Sequence, residues 1–467
     1  MSEPNDPHKR AVNWRNWAGD ERCRPAAVEI PGSIEEISEV IARAVAREDR
    51  VRVAGAGHSF SDVALTDGSQ LRLERLTRVL DIDRSSGLVR VQGGITIREL
   101  NARLAAHELA LENLGDVDSQ SIAGAISTAT HGTGAGLRNL SAQVAELTLV
   151  LADGSTLCCA EDIDSEVFRA ARVGLGALGV IADVTLRCVP AFTLRGVDAP
   201  MPLGDTLERF EELALGNDHF EFFVFPHAEV ALTRTNNRTE EPPRPRGRVG
   251  AYANDVLLTN HAFELLCRAG RRFPRRIPQI NRLVTRLAGA ATRVDRSDRI
   301  FASPRLVRFT EMEYALAREH TPEAVRRVMA LVPARGFAVP FPIEQRGFAV
   351  PFPIEVRTVA PDDALLSTAA GRDSGFVAVH MYRGMAWEPY FRAVEAIMDE
   401  LDGRPHWGKR HFQTAATLRP RYPDWDRFQA VRARLDPEER FANAWTDRIL
   451  GPVDPVHAVQ PNIVANG

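Results

Sequence analysis

Residues 52–62 read RVAGAGHSFSD, and this stretch determines how the rest of the chain is interpreted. An alternating apolar run ends at Gly55-Ala56-Gly57, and His58 and Ser59 follow without a spacer. Glycine has no Cβ, so backbone N–H groups at such a turn can approach an anion closely. We therefore predict a phosphate-bearing ligand, with His58 at the end of its cradle. A plain tight turn would give the same local pattern, so the other segments must decide.

Length and composition restrict the class of protein. A chain of 467 residues exceeds what one hydrophobic core usually supports, which predicts two domains, or three at most. Apolar residues make up 44% and charged residues 26%, which is typical of a soluble globular protein. The formal net charge of -4 gives no reason to expect a nucleic-acid partner.

Cysteine usage and hydropathy bear on the cellular compartment. The five cysteines show no metal-ligand spacing, so we expect reduced buried thiols and no metal site. The first residues lack an apolar stretch and no later segment approaches a membrane-spanning length. We expect a cytoplasmic protein that does not require a membrane. Residues 268–308 are rich in arginine, which by default indicates a solvated helical face and leaves contact with a membrane surface or an acidic partner open.

The first part of the chain predicts a small α+β unit. Ser33 and Glu36 form a capping-box pair that opens a helix to about Ala46. A strand over 50–54 then leads into the glycine turn, and residues 146–157 alternate on both sides of a turn, as in a hairpin. This mixture of elements indicates an α+β domain rather than a doubly wound sheet.

Two further segments are rich in small residues. Residues 113–136 (NLGDVDSQSIAGAISTATHGTGAG) predict a loop that wraps closely around an elongated ligand, with Ile122 and Ile126 on its buried side. Residues 174–189 (GLGALGVIADVTLRCV) place three glycines before an alternating strand. The chain thus offers three places where backbone can lie against a ligand.

An internal repeat occurs later in the chain. RGFAVPFPIE occurs at Arg335–Glu344 and again at Arg346–Glu355. The offset is odd, so moving a strand from one copy to the other would turn each side chain to the opposite face. Each copy also contains prolines that would damage an interior strand. We therefore expect only one copy to occupy the native register.

Four motifs in a fixed order resemble a known flavoprotein group. RVAGAGHSF, SIAGAISTATHGTG, GALGVIADVTL and HWGK are together similar to the sugar-lactone and alditol oxidase branch of the vanillyl-alcohol-oxidase superfamily, nearest to bacterial L-gulono- and D-arabinono-1,4-lactone oxidoreductases. The resemblance implies a two-domain α+β fold. It divides the chain into a PCMH-type FAD-binding domain over 1–190, a cap or substrate domain over 191–410 that carries the duplicated segment 335–355, and a C-terminal segment over 411–467 that packs back on the FAD domain.

The same resemblance implies FAD as the cofactor and a set of residues that hold it. His58 matches the histidine that is joined covalently to the flavin C8-methyl in oxidases of this branch, and the backbone of residues 55–59 would hold the pyrophosphate. The implied cofactor-binding residues are Gly55, Ala56, Gly57, His58, Ser59, Gly115, Ser121, Gly124, Thr128, His131 and Ile181.

The resemblance also implies the catalytic groups. The E-x-R pair of the family matches Glu355 and Arg357, and the lysine of its H-W-x-K motif matches Lys409. A Glu and an Arg two apart on a strand project from one face, where the Arg can orient substrate oxygens by forked donation. Glu344-Gln345-Arg346 in the first repeat is also E-x-R; we favour the second copy because the strand continues after it. The implied substrate-binding residues are Asp116, Tyr382 and His406.

The predicted reaction is FAD-dependent oxidation of a sugar 1,4-lactone, such as L-gulono-, L-galactono- or D-arabinono-1,4-lactone. A hydride would pass to flavin N5, the product would be ascorbate-like, and O2 or another redox acceptor such as a cytochrome would reoxidise the cofactor. An alditol oxidase acting on xylitol or sorbitol is the enzymatic alternative. A flavin-free binding protein that keeps the fold as a scaffold is the alternative from another class.

Overall fold

The computed structural model describes residues 13–245, 247, 260–332 and 348–454. Sheets of three, five and eight strands dominate this part of the chain, together with two short two-stranded pairs. Among the described residues, we find no helix with both the length and the apolar character needed to cross a bilayer.

The first twelve strands form the smaller sheets and pairs. They are β1 Trp14–Arg15, β2 Arg22–Cys23, β3 Ala27–Glu29, β4 Val51–Ala54, β5 Ser69–Arg72, β6 Val79–Asp83, β7 Leu88–Gln92, β8 Leu109–Ala110, β9 Val144–Val150, β10 Thr156–Ala160, β11 Val180–Arg187 and β12 Val189–Pro190. The three-stranded sheet has the order β3-β5-β4 and is parallel. The five-stranded sheet has the order β10-β9-β11-β7-β6 and is antiparallel.

The predicted entry into the glycine turn is confirmed. A helix over Ile34–Ala46 has Ser33 as its N-cap, and the Glu36 backbone N–H donates to the Ser33 side chain. This helix buries its apolar stripe in the core that it shares with β4 and β9, which satisfies the amphipathic pattern. The hairpin predicted over 146–157 is confirmed as the antiparallel pair β9 and β10.

The remaining strands form the eight-stranded sheet. They are β13 Thr193–Pro202, β14 His219–Val224, β15 Val230–Thr239, β16 Ala291–Arg296, β17 Phe309–Ala317, β18 Ile354–Val359, β19 Ser374–Tyr382 and β20 Arg404–Pro405. The order is β16-β13-β15-β14-β18-β19-β17-β20. In the centre of this sheet β18, β19 and β17 are neighbours, so side chains at alternate positions of the three strands share one face.

Helices cover the sheets and fill the space between them. The described α-helices after the first are Ile97–Ala106, Ile122–Ser127, Ser165–Ala171, Leu203–Glu208, Phe210–Leu215, Phe263–Arg272, Ile277–Leu287, Ser297–Phe301, Thr321–Ala330, Glu388–Glu400, Ala415–Leu418, Trp425–Leu435 and Ala444–Leu450. One apolar core unites residues from 37–188 with the helices of 418–450, and a second core lies between the eight-stranded sheet and the helices over 321–330 and 388–400. The domain boundaries at 190 and 410 stay a prediction.

Two expectations from the sequence are wrong in part. The segment 113–136 is not all loop, because Ile122–Ser127 forms a short helix in which the two isoleucines, four residues apart, share the buried side. The five cysteines are all free thiols, but Cys158 is exposed on β10, where its side chain faces away from the core.

Part of the second copy of the repeat lies within the described residues. The first copy, Arg335–Glu344, lies outside them, as does the start of the second. From Phe348 the second copy is described, and β18 begins at Ile354, directly after its last proline. The prolines therefore precede the strand, which removes the conflict between proline and an interior strand.

Candidate active site

A cavity of about 880 Å³ lies at the glycine turn that follows β4. All three small-residue segments contribute to its wall. The lining residues include Gly55, Ala56, Gly57, His58, Ser59, Ser121, Gly124, Thr128, Gly176, Gly179 and Ile181. We call this space the glycine cavity.

Close backbone approach explains the glycines of the first segment. A Cβ at Gly55 would lie 2.5 Å from the Ser121 Oγ atom, and a real side chain does not tolerate that distance. Gly57 has a φ of +71°, a conformation that residues with a Cβ rarely adopt. The first and second segments therefore approach one another closely, as a cradle for a phosphate-bearing group requires.

Arg52 holds together the chain segments around the glycine cavity. Its guanidinium is fully buried and donates to the carbonyls of Val63, Leu175 and Phe441, which belong to three separate segments of the chain. Burial lowers the pKa of Arg52 to about 10, and the nearby charge of Arg432 acts in the same direction. The charge of Arg52 is thus compensated by oriented carbonyl dipoles. Arg52 therefore positions the wall of the cavity and does not bind the ligand directly.

A second cavity, of about 750 Å³, adjoins the first and shares His58, Ser59, Gln120 and Thr128 with it. Its character is different, because ionisable side chains form most of its floor. They include Asp116, Arg305, Glu311, Glu313, Glu355, Arg357, His380, His406 and Lys409, with Trp17, Phe60, Gly115 and His131 around them. We call this space the charged cavity.

The sheet register builds the floor of the charged cavity. Glu311 of β17 lies opposite His380 of β19, and Glu355 of β18 lies opposite Ala378 of the same strand. Glu313 and Arg357 are two residues further along their strands and so lie on the same face. The other face of these strands is apolar and packs on the helices. One face of the sheet therefore packs in the core, and the other presents ionisable side chains to the charged cavity.

Arg357 is the centre of this floor. Its NH2 atom lies 2.8 Å from Glu313 Oε1, and its Nε atom lies 3.3 Å from Glu355 Oε1. Burial is the largest single influence and alone would raise the pKa of both carboxyl groups. Arg357 acts against it together with His131 and His406 beside Glu313, and with Arg305 and His380 beside Glu355, so the pKa of both groups is lowered, that of Glu313 well below its ordinary value. Both glutamates are therefore carboxylates, able to accept hydrogen bonds from hydroxyl groups.

His380 and Lys409 flank the same floor. The Nδ1 atom of His380 lies 3.0 Å from the carbonyl oxygen of Pro353, which can only accept, so Nδ1 carries a proton. Its Nε2 atom lies 3.6 Å from Glu311 and 3.8 Å from Glu355. Lys409 Nζ lies 2.5 Å from Glu311 Oε2 and 5.0 Å from the centre of the Phe60 ring.

His131, Glu313 and His406 form a buried cluster with the spacing that a metal ion would need. The Nδ1 atom of His131 bonds the Gly132 carbonyl, and its Nε2 atom lies 3.4 Å from Glu313. The backbone N–H of Gly408 donates to His406 Nδ1, so the proton of the neutral ring is on Nε2. Arg357 already offsets the negative charge of Glu313. The ion pair between these two side chains therefore explains the arrangement without a bound metal ion.

His58 stands where the two cavities meet. Trp17 stacks on its ring with 5.5 Å between centroids, and Ser119 Oγ lies 2.7 Å from Nε2. Burial, followed by the charges of Lys409 and Arg308, lowers the pKa of His58 to about 4. The ring is therefore neutral at ordinary pH, with its plane and one nitrogen fixed and Nδ1 left for another partner.

Some of the other predicted residues line the charged cavity, and one lies outside it. Asp116 lines the charged cavity but is ion-paired with Arg305, and Gly115 lies close to the carbonyl of His131. Tyr382 lies outside the cavity. It shares a face of β19 with His380, but Phe352 packs between it and the cavity side, and its hydroxyl donates to Glu264. A substrate contact for Tyr382 stays a prediction.

Sequence reasoning missed several residues of the charged cavity. Glu311 and Glu313 were detectable, because FTEMEYALA over 309–317 alternates acidic and apolar positions inside a strong strand, where carboxylates need a partner. No local signal marks Trp17 or Arg305, since each reaches the site from a segment distant in sequence.

The chain is similar to known proteins over most of its length. The family described as D-arabinono-1,4-lactone oxidase matches residues 184–449, and an FAD-binding domain family matches residues 25–160. L-gulono-1,4-lactone dehydrogenase from Mycobacterium tuberculosis is 52% identical over 439 residues, covering 94% of this chain and 99% of the relative. L-gulonolactone oxidase from Bos taurus is 35% identical over 94% of this chain and 99% of its own length.

A likeness in fold extends further than the likeness in sequence. The crystal structure of cholesterol oxidase from B. sterolicum superposes with a TM-score of 0.78 at 17% identity, covering 94% of this chain and 96% of that one. Together with the FAD-binding match, it confirms the predicted α+β fold of the vanillyl-alcohol-oxidase type.

Proposed function

The chain belongs to the D-arabinono-1,4-lactone oxidase family, and we propose that it is an FAD-dependent oxidoreductase that converts a CH–OH group of a sugar 1,4-lactone to a carbonyl. The observation that carries this proposal is the adjacency of two cavities. A glycine-walled cavity suited to a dinucleotide opens beside a floor of carboxylates, arginine and lysine suited to a polyhydroxylated substrate.

The residues of the glycine cavity fit FAD. The backbone near Gly55 and Gly57 offers the close approach that a pyrophosphate needs, and Ser121 and Thr128 supply hydroxyls to the wall. When bound, FAD would supply the hydride acceptor that the protein itself lacks. Gly124 would allow close approach of the backbone to the cofactor, and Ile181 would meet FAD through main-chain hydrogen bonds.

His58 is the proposed point of covalent attachment. Its neutral state leaves a nitrogen lone pair available, and Trp17 and Ser119 hold the ring in one orientation between the two cavities. A fixed ring loses little further entropy when it forms a bond. Acid precipitation of the purified protein tests this point, because only covalent flavin remains in the pellet.

Glu355 and Arg357 are proposed to bind the lactone. Glu355 would accept hydrogen bonds from hydroxyl groups, and Arg357 would donate to a carbonyl or hydroxyl oxygen from a fixed fork. Glu313 holds Arg357 from the opposite side, so the guanidinium cannot turn away from the cavity. We assign Glu313 a positioning role for this reason. His406, Asp116 and Gly115 complete the wall around the substrate.

His380 is the proposed acceptor of the hydroxyl proton. Its Nδ1–H is fixed on the Pro353 carbonyl, so Nε2 is the atom that faces Glu311 and Glu355 in the cavity and that would take up the proton. Two carboxylates at that distance stabilise the imidazolium that forms. Lys409 supplies a positive charge close to His58, where it would stabilise the negative charge of the reduced cofactor.

A substrate and acceptor panel tests the proposal. The expected result is anaerobic bleaching of the flavin absorbance by L-gulono-, L-galactono- or D-arabinono-1,4-lactone. Turnover of xylitol or sorbitol without turnover of any lactone would assign an alditol oxidase instead. A colourless protein that takes up no FAD would refute both enzymatic functions. Comparison of O2 uptake with cytochrome c reduction identifies the acceptor, and we expect a product of the ascorbate type.

A further inference from the structure

Two consecutive helices, Phe263–Arg272 and Ile277–Leu287, expose large apolar side chains to solvent. Leu265 is 64% exposed, Phe273 57%, Leu283 50% and Leu287 76%. Scattered exposed apolar residues need no explanation, but three leucines and a phenylalanine exposed within residues 265–287 are a local concentration of the kind that marks an interaction site. We call the solvent side of residues 263–287 the arginine–leucine face.

The helix pair is well anchored on its other side. A Cβ at Gly270 would lie 3.0 Å from the Ile277 side chain, so the two helices meet closely there. The amide of buried Asn281 donates to the carbonyls of Pro226 and Val350, each at 3.0 Å. Because the inner face is packed and hydrogen-bonded, the outer leucines cannot turn inward without breaking it.

Arginine accompanies these leucines in a regular pattern. On the second helix Leu283 and Leu287 are four residues apart, as are Arg282 and Arg286, so the two pairs form adjacent stripes along the solvent side. Leu265 and Arg272 are both exposed and lie two helical turns apart on the same side of the first helix. Apolar and basic groups are therefore presented together.

The charge of this face is almost entirely positive. Seven arginines and a single carboxylate, Glu264, occur between residues 263 and 287. Glu264 accepts from Arg268 and from the Tyr382 hydroxyl. Within the described part of the chain, none of the other six arginines forms an ion pair with a carboxylate. Excess positive charge of this density is complementary to an anionic surface.

We propose that the arginine–leucine face docks on an anionic lipid bilayer, lying in the plane of its interface. Exposed leucine and phenylalanine side chains gain free energy by entering the boundary of the acyl chains, and arginines gain it from lipid phosphates. A second copy of the chain fits less well, because a two-fold contact would bring two sets of arginines together. An acidic protein or a nucleic acid would pair with the arginines, but it would not account for the exposure of Leu283 and Leu287.

Vesicle sedimentation of the full-length flavoprotein tests the proposal. We expect binding to vesicles of phosphatidylcholine mixed with phosphatidylglycerol, weaker binding to phosphatidylcholine alone, and release as the salt concentration rises. The double variant Arg282→Gln/Arg286→Gln should lower partitioning about 30-fold, from the contribution of each basic residue near an anionic surface. The double variant Leu283→Ser/Leu287→Ser should also lower partitioning to the vesicles, and it should do so even at low salt.

Matched substitutions elsewhere separate docking from general charge or hydropathy. Arg103→Gln/Arg187→Gln removes the same charge from exposed positions, and Leu215→Ser removes a leucine that is 62% exposed. Both controls should bind vesicles like the original protein, and circular dichroism should show that all variants are folded. Wild-type binding by the Arg282/Arg286 or Leu283/Leu287 variants would overturn the proposal. So would absence of binding to anionic vesicles in low salt, or a dimer in solution that the leucine variant dissociates.

Discussion

Replacement of Arg357 by methionine tests the electrostatics of the charged cavity most directly. The change keeps a long side chain but removes the charge that lies 2.8 Å from Glu313 and 3.3 Å from Glu355. At an effective dielectric constant of about 20, the attraction over the shorter distance is about 6 kcal/mol. Part of it is offset by the desolvation of both groups, so we expect Arg357→Met to lower the free energy of unfolding by about 3–5 kcal/mol at neutral pH.

The pH dependence of that loss distinguishes charge from packing. In the original protein the pKa of Glu313 is lowered, so its contribution to stability is present above the ordinary glutamate value of 4.5 and is lost as the pH falls. Without Arg357, burial is opposed by the weaker effects of His131 and His406, so we expect the pKa of Glu313 to rise, and protonation then stabilises the folded variant. The destabilisation caused by Arg357→Met should therefore shrink as the pH falls toward 4.5.

Urea unfolding at several pH values, followed by fluorescence, measures this difference. The double variant Arg357→Met/Glu313→Gln is the control, because it removes the nearer of the two carboxylates that Arg357→Met leaves without their partner. It should be more stable than Arg357→Met alone at neutral pH. A loss that does not change with pH, or a double variant with additive losses, would refute the ionised Arg357–Glu313 pair as the centre of the floor.

Three further changes test individual residues. His58→Ala should abolish flavin that survives acid precipitation, and a yellow pellet would contradict covalent attachment. Lys409→Met should lower the rate of flavin reduction by about 10²–10³-fold, measured by anaerobic stopped flow, while the flavin spectrum of the oxidised protein is retained; an unchanged rate would remove Lys409 from the site. Gly55→Ala should reduce FAD uptake, since the new Cβ would lie 2.5 Å from Ser121 Oγ; full flavin content on expression would show that the wall can move.

The local elements of the chain were well predicted, because their signals are local. Ser33 and Glu36 mark the helix start through contacts three residues apart, and the turn within 146–157 joins strands that pair with each other. The helix over Ile122–Ser127 was missed, because its length of six residues is too short for a convincing periodic pattern and its glycine and alanine content is typical of loops. The resemblance of four short motifs predicted the fold class and the cofactor.

The charged cavity was predicted only where a motif pointed to it. Glu355, Arg357 and Lys409 were identified from motifs and do line one cavity. Glu313, Glu311 and His380 were missed as functional groups, since each becomes significant through a partner on a neighbouring strand. Tyr382 was predicted from the resemblance of the HMYRG segment, and such a resemblance does not show which side chains of the strand line the cavity.

The sequence by itself determined the glycine cradle, the position of His58 and the order of the motifs, because these depend on backbone freedom and on residue type within short segments. Tertiary structure decided which charges meet. Antiparallel register brings Glu311 opposite His380, and the packing of β18 beside β14 and β19 buries Arg357 between two carboxylates. The strength of such pairs depends on distance and burial, which residues far apart in sequence acquire only when the sheet has formed. The tertiary structure also left Leu283 and Leu287 outside the core, because Asn281 and Thr285 took the inner side of their helix.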